Sequence, residues 1–351
     1  MDPRPTVLLV SAGSLVGRNV LDALGDRRSD LCIVATNSDP AAPALAECDV
    51  VEIVPETVGS EHRLETAIKR LYEAYSPTLV IPCRDDDVLM LATAIEAGRL
   101  PGVKAPVGNR ATAEAICDGL ASARFSEIAG LPFGASAPSE DRAALDRLVA
   151  AHGFPLVAKP RRSFGSHNVR LIGNPLQLAQ IAGEAGLLVQ AFVGSRRTYA
   201  AQRADAARLG DPLFHTYEQL KISLQAMISP AGEVIGVSAS KNEMKQGFSM
   251  RVTYCDDADA LALANRCATA FANAGWRGPL NVQTHRNDSG TLQIFEFGGR
   301  FNGVTAARAW FGYDEVQQVL REFAGVTIRD LNIKRRATEV RKVLSNVPFY
   351  G

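Results

Sequence analysis

Short apolar, β-branched runs alternate with stretches of helical spacing through the first part of the chain. Thr6 to Val10 reads as a buried strand ending in Ser11-Ala12-Gly13-Ser14-Leu15-Val16-Gly17, after which Val20, Leu21 and Leu24 recur at helical spacing. Leu31 to Thr36 and Val50 to Val54 read as further strands. Helical periodicity returns from His62 to Tyr75, and Thr78 to Pro82 gives a fourth strand. Asp85-Asp86-Asp87 then opens a helix, where carboxylates complement the dipole. Strands alternating with helices predict a doubly wound parallel sheet.

The pattern then changes. Val107 to Leu131 reads as a helix with its lead-in, Pro132 to Ser136 enters a new unit, and Ala143 to His152 is helical. Phe154 to Pro160 is a strand carrying Lys159 near its end, and Asn168 to Ile172 is the next. Between them lies Arg161-Arg162-Ser163-Phe164-Gly165-Ser166-His167, a small-residue loop with basic flanks. Such a loop can fold as a flap over phosphates with Lys159 as a point charge on them, or it is an exposed hairpin with a solvated lysine. Pro175 to Ala185 is helical, Gly186 to Val193 is an apolar strand, and the polar stretch Ser195 to Leu213 reads as an irregular insertion or mobile loop. Leu220 to Ile228 and Val234 to Ser240 alternate as strands and lead to a cationic loop, Lys241 to Arg251. Asp257 to Ala274 and Tyr313 to Phe323 are helical, and the basic tail from Lys334 reads as a solvated helix or a docking segment.

Gly278 to Gly303 holds the most informative chemistry. It parses as a β-hairpin turning at Asn287-Asp288-Ser289-Gly290. Strict alternation in the return arm puts Glu296 on one face with Leu292 and Ile294, flanked by Phe295 and Phe297. A carboxylate in that company is costly to bury without a counter-charge or a metal. Gln283 on the opposing arm and Arg300 beyond it complete an oxygen pair beside a cation, suited to Mg²⁺ holding phosphate oxygens. The alternative is a surface hairpin with a solvated Glu and Arg.

Composition narrows the class. The chain has 351 residues, enough for two or three domains, and no net charge, so no basic field advertises nucleic acid or an acidic membrane. Six scattered cysteines form no C-x-x-C and argue against zinc and against a disulfide scaffold. No signal peptide or bilayer-spanning run is apparent, so a soluble, cytoplasmic protein is expected. The glycine turn after the first strand offers a dinucleotide site with Asp39 as ribose acceptor, although Ser11 stands at the fingerprint's first glycine. Such a turn can equally just let a helix pack close.

F-P-L-V-A-K-P with its serine/glycine loop, L-V-Q-A-F-V-G, the loop ending G-F-S-M-R, and N-V-Q followed by F-E-F-G-G-R-F-N-G stand in an order that resembles the ATP-grasp superfamily, in its carbamoyl-phosphate synthase-like, carboxylate–amine ligase branch. The resemblance covers the chain to about Phe323. It implies α/β and α+β architecture: a pre-ATP-grasp doubly wound parallel sheet (1–107), a linking helix and small lid (108–194), a larger lobe with the metal (195–333) and a basic tail (334–351). Lys159 is then expected on ATP phosphates and Ser163, Gly165 and Ser166 in the flap. Gln190, Ala191, Phe192 and Val193 form the adenine hinge, Gln283 and Glu296 ligate Mg²⁺, and Arg300 steadies an acyl-phosphate. Lys241, Arg251 and Arg308 are candidates for gripping substrate. The implied reaction joins a small carboxylic acid to an amine at the expense of ATP, with small-molecule partners and room for a homodimer.

Three positions depart from the family pattern. Gly119 follows Asp118 where a basic residue is usual, Gly298 replaces the asparagine of E-x-N-x-R, and Ser195-Arg196-Arg197 replace a ribose-binding glutamate. They keep open a non-catalytic, ATP-grasp-like binding or scaffold module, and the glycine turn keeps open a nicotinamide-dependent enzyme.

Overall fold

The computed structural model describes residues 4–162, 167–210, 219–245, 247–333 and 336–343. The expected flap residues Ser163, Gly165 and Ser166, and the tail residues Lys334 and Arg335, lie outside the described residues.

The first sheet is parallel, in the order β3-β2-β1-β4, from β1 (Thr6–Val10), β2 (Cys32–Asn37), β3 (Val50–Ile53) and β4 (Leu79–Pro82). Helices α1 (Leu15–Leu24), α2 (Glu61–Tyr75) and α3 (Asp85–Glu96) connect and cover it. Ser14 caps α1 by accepting from the Gly17 amide. Gly17 is needed for close approach, since a Cβ there would meet the Ala12 carbonyl oxygen at 2.1 Å. The single helix expected over 107–131 is two, α4 (Arg110–Cys117) and α5 (Gly119–Ile128), because Asp118 is extended and caps α5 through the amides of Leu120 and Ala121.

A second, antiparallel sheet in the order β5-β8-β6-β7 comes from β5 (Ser136–Pro138), β6 (Leu156–Pro160), β7 (Arg170–Ile172) and β8 (Leu187–Ala191), with α6 (Arg142–His152) and α7 (Pro175–Ile181) packed on it. The polar stretch after β8, expected to be irregular, forms α8 (Arg196–Leu209). It has no apolar stripe to announce it, and Ala206 alone among its residues is buried.

The large sheet has six strands in the order β13-β12-β9-β10-β11-β14. These are β9 (Lys221–Ile228), β10 (Val234–Lys245), β11 (Phe248–Cys255), β12 (Gly278–Arg286), β13 (Leu292–Gly298) and β14 (Glu339–Arg341), with α9 (Ala258–Ala274), α10 (Thr305–Trp310) and α11 (Glu315–Ala324). Two expectations change here. The cationic loop 241–251 is mostly the facing ends of β10 and β11, and the tail contributes β14, paired with β11 at Arg251↔Arg341.

The cores show which elements are packed together. On one face of the first sheet, Val7 and Leu9 pack with α1 and, from the far end of the chain, with Phe301, Val316, Val319 and Leu320. On the other face, Leu8 and Val10 belong to one continuous core that runs through α2, α3, α4 and α9 to Leu224, Val282 and Ile294 of the large sheet. The second sheet has a separate core built on Leu145, Leu156, Ile172 and Val189.

Candidate active site

The β12–β13 hairpin forms as expected, but the pairing shifts register between Gln283↔Glu296 and Thr284↔Ile294. The extra residue on β13 is Phe295. Leu292, Ile294 and Phe297 all enter the core, whereas Glu296 lines a cavity with Gln283. The strict-alternation expectation that Glu296 shares the Leu292/Ile294 face is thus corrected. A β-bulge turns the carboxylate to the open side.

Around Glu296 several expected groups converge. Gln283 Nε2 donates to Glu296 Oε1 at 3.3 Å, and Lys221 Nζ donates to Gln283 Oε1 at 2.9 Å. Lys159, at the end of β6, reaches across from the second sheet and donates to the Phe295 carbonyl at 2.8 Å. Its ammonium also sits 5.9 Å from the Phe295 ring centroid, and that ring stacks on His285 with centroids 5.0 Å apart. Arg300 forms an ion pair of 2.5 Å with Asp85 at the start of α3. Burial pushes the Glu296 carboxyl above its usual range, with the charge of Lys159 opposing and that of Asp85 adding to the rise. Burial likewise lowers Lys159, against the pull of Glu296. For Arg300, burial alone would lower the guanidinium, but the Asp85 carboxylate outweighs it and the result is raised.

The cavity beside this cluster measures about 510 Å³. One wall is the polar face of the large sheet. There Asn281 Nδ2 donates to Ser223 Oγ and Gln225 Oε1, and Ser240 donates to Asn242 Oδ1. The opposite wall is the glycine turn, Gly13 to Val16, with Asn37 and Asp39. The turn therefore faces the same cavity as Glu296. Its Gly13 amide is taken by Asn37 Oδ1 at 3.1 Å, and a Cβ on Gly13 would strike the Asn37 amide nitrogen at 2.5 Å.

The residues expected to form an adenine hinge lie elsewhere. Gln190 is buried and donates to the Gly134 carbonyl and Ser136 Oγ, away from the cleft. Ala191, Phe192 and Val193 border a second cavity of about 460 Å³, with Phe133, Arg196 and Asp288 around it. Asp288, at the hairpin turn, accepts from Ser195 Oγ and from the amides of Arg196 and Arg197, tying the start of α8 to the large sheet.

Three candidates are not brought to the cavity. Lys241 is exposed. Arg251 pairs with Glu243 and Glu339 on the face of the β10–β11 ribbon opposite Asn242. Arg308 is fully buried in an ion pair with Glu315, held also by Asn302 and Thr305. Lys221, Asn242 and Lys342 line the cavity without having been singled out as site residues, because isolated polar positions far apart in sequence carry no motif; Asn281 lines it from within N-V-Q, where Gln283 alone had been given a role. Alternation along β9 and β10 was the available signal for two of them. The three aspartates opening α3, read together as dipole complements, separate into distinct partners: Asp85 meets Arg300, and Asp87 is a buried acceptor.

With a parallel sheet, a smaller antiparallel sheet and a large antiparallel sheet bordering a polar cleft, this chain has the ATP-grasp fold. The likeness lies in three dimensions, since neither a scan against protein-family models nor a search of curated proteins finds a match. Among solved structures, N5-carboxyaminoimidazole synthetase from Staphylococcus aureus, complexed with ADP, superposes with a TM-score of 0.70 at 12% identity, over 94% of this chain and 80% of that one. The biotin carboxylase domain dimer of 2-oxoglutarate carboxylase from Hydrogenobacter thermophilus, with MgADP, ADP and bicarbonate, gives 0.67 at 14%, over 92% and 70%. L-amino acid ligase from Bacillus licheniformis gives 0.64 at 14%, over 92% and 75%.

Proposed function

We propose that this protein is an ATP-dependent ligase that joins a small carboxylic acid to an amine through an acyl-phosphate, releasing ADP and phosphate. The observation that carries the reading is the meeting of Lys159 with Gln283 and Glu296 where the lid sheet abuts the large sheet. The ADP and MgADP complexes of similarly folded proteins support ATP and Mg²⁺ as the reagents.

The donor set suits Mg²⁺. Glu296 and Gln283 offer two oxygens, and among the described residues no group of three His, Cys, Asp or Glu converges that could hold a metal by itself. A cation there would complete its shell with water and phosphate oxygens, which is how Mg²⁺ is usually held. Among the described residues, Arg300 Nε and Asp85 Oδ1 are buried without a partner, so the site holds unused donor and acceptor capacity. Bound Mg²⁺ would neutralise charge on the transferred phosphoryl group.

In this reading Lys159 exchanges its bond to Phe295 for a phosphate oxygen, and the flat His285–Phe295 pair offers a stacking surface for the purine. The substrate carboxylate attacks the γ-phosphorus and ADP leaves. The amine then attacks the acyl carbon, phosphate departs and the amine loses a proton. Arg300, held by Asp85, stabilises the charge on the departing phosphate. The chain's share of the work is positioning and charge neutralisation.

A second reading has a specific observation in its favour. Gly119 and Gly298 leave two family positions without side chains, as in a module that has lost catalysis. Calorimetry with ATP, with and without Mg²⁺, on wild type and Glu296→Ala separates the two. Mg²⁺-dependent binding in the micromolar range, weakened at least tenfold in the variant, is expected of the ligase. No binding at millimolar ATP would sink it in favour of the module.

A further inference from the structure

The cavity does not end at Glu296 and Arg300. It continues to the N-terminus of α1, and there its chemistry changes. The first turn of α1 contains no acidic residue, and the amides of Leu15 and Val16 have no partner within the helix. Lys342, just after β14, enters from the opposite side and donates to the Gly303 carbonyl; among the described residues it forms no ion pair. Gly303 leaves it room, since a Cβ there would meet Leu15 Cδ2 at 3.0 Å and Lys342 Nζ at 3.7 Å. Strand pairing then brings a third donor. Asn242 pairs with Val252 and Val252 with Val340, so Asn242 and Lys342 share one face of the sheet. Asn242 is 1% exposed, lines the cavity and, among the described residues, leaves its Nδ2 without a partner.

We propose that this end of the cavity is an oxyanion site, built from Lys342, the α1 amides and Asn242 Nδ2, that holds the carboxylate or phosphate group of a small co-substrate whose other end reaches Arg300 and Glu296. Its role as a co-substrate site rests on the ligase reading; the anion site itself does not. Helix N-termini favour anions, and a partly buried lysine with only a carbonyl partner gains a counter-charge when one arrives. Burial holds Lys342 below its ordinary range, with the charge of Asp22 opposing and the repulsion of Lys221 and Arg308 adding to the fall, and an anion offsets the burial and the repulsion. Asp39 and Glu56 on the cavity rim select further for a ligand that also carries hydroxyl or amino groups.

The test titrates inorganic phosphate and, separately, acetate into the full chain, with and without magnesium and a non-hydrolysable ATP analogue to fill the nucleotide site. One of the two anions is expected to bind, and its identity tells a phosphate ester from a carboxylate. Lys342→Met and Asn242→Asp should each weaken that binding roughly tenfold, Lys342→Arg should retain it, and affinity for the analogue should be unchanged by Lys342→Met. The unchanged analogue affinity shows that the variant is folded. Binding of neither anion, or binding indifferent to both weakening substitutions, overturns the site. If the analogue fails to bind while Lys342-dependent anion binding persists, the ligase reading falls and the anion site stands.

Discussion

Two glycines that depart from the family pattern are different physical objects. At Gly119 a Cβ would meet Leu188 Cδ2 at 2.5 Å, and Leu188 is itself fully buried, so no side chain fits without disturbing the lid. At Gly298 a Cβ would meet only Asn281 Cβ, at an ordinary 3.7 Å. The first glycine is fixed by packing, whereas at the second a Cβ makes only ordinary van der Waals contact. Gly298→Asn should therefore fold, with a melting temperature within a few degrees of wild type, and its amide oxygen should replace one water on the metal. We expect Mg²⁺-dependent ADP binding to tighten by about tenfold. Calorimetry showing unchanged affinity in a well-folded variant would remove the idea that Gly298 is a missing ligand. Gly299 makes the contrast: a Cβ there would enter the buried Trp276 ring at 2.7 Å, and alanine at that position should be destabilising.

Between elements, the glycine turn is held by a buried acid. Asp87, in the first turn of α3, accepts from the Arg84 amide, Thr57 Oγ1 and Ser11 Oγ, and Ser11 sits at φ 57. Burial raises its pKa from 3.8 to about 6, with the hydrogen bonds from Thr57 and Ser11 opposing. The folded chain therefore holds this proton more tightly than the unfolded one. The associated stabilisation is fully present below pH 3.8 and is lost as pH rises through about 6. Its size is about 3 kcal/mol. Denaturant unfolding of wild type and Asp87→Asn between acid and neutral pH should show wild type losing stability relative to the variant as pH rises; a constant difference would contradict it. Elements were also where the sequence was most and least legible. β-Branched runs disclosed the strands, since burial on both faces leaves a continuous apolar signature. The bulge at Phe295 was hidden because alternation counts residues and cannot see an added one. α8 was hidden because an exposed helix needs no apolar stripe.

At the scale of the whole molecule, the described residues form two bodies with different cores. The first and large sheets share theirs, while the lid sheet rests on its own small cluster and meets the rest through Lys159, α5 and the Asp288 cap. Hydrogen exchange should accordingly find the amides of β5 to β8 less protected than those of β9 and β12, and MgADP should slow them selectively. Exchange of both bodies in a single step, untouched by nucleotide, would refute the division. At this scale the sequence was readable in order but not in contact. Lys342 and Gly13 wall one cavity, yet only the pairing of β14 with β11 brings Lys342 to it. The cover that α11 gives to the first sheet has a consequence for ancestry. Residues 6–82 look like a module that recombination could carry between genes. Moved alone, they would leave Val7, Leu9 and the inner side of α1 without Val316, Val319 and Leu320. A viable transfer must bring both ends of the chain together, so the two ends are expected to have descended as one unit.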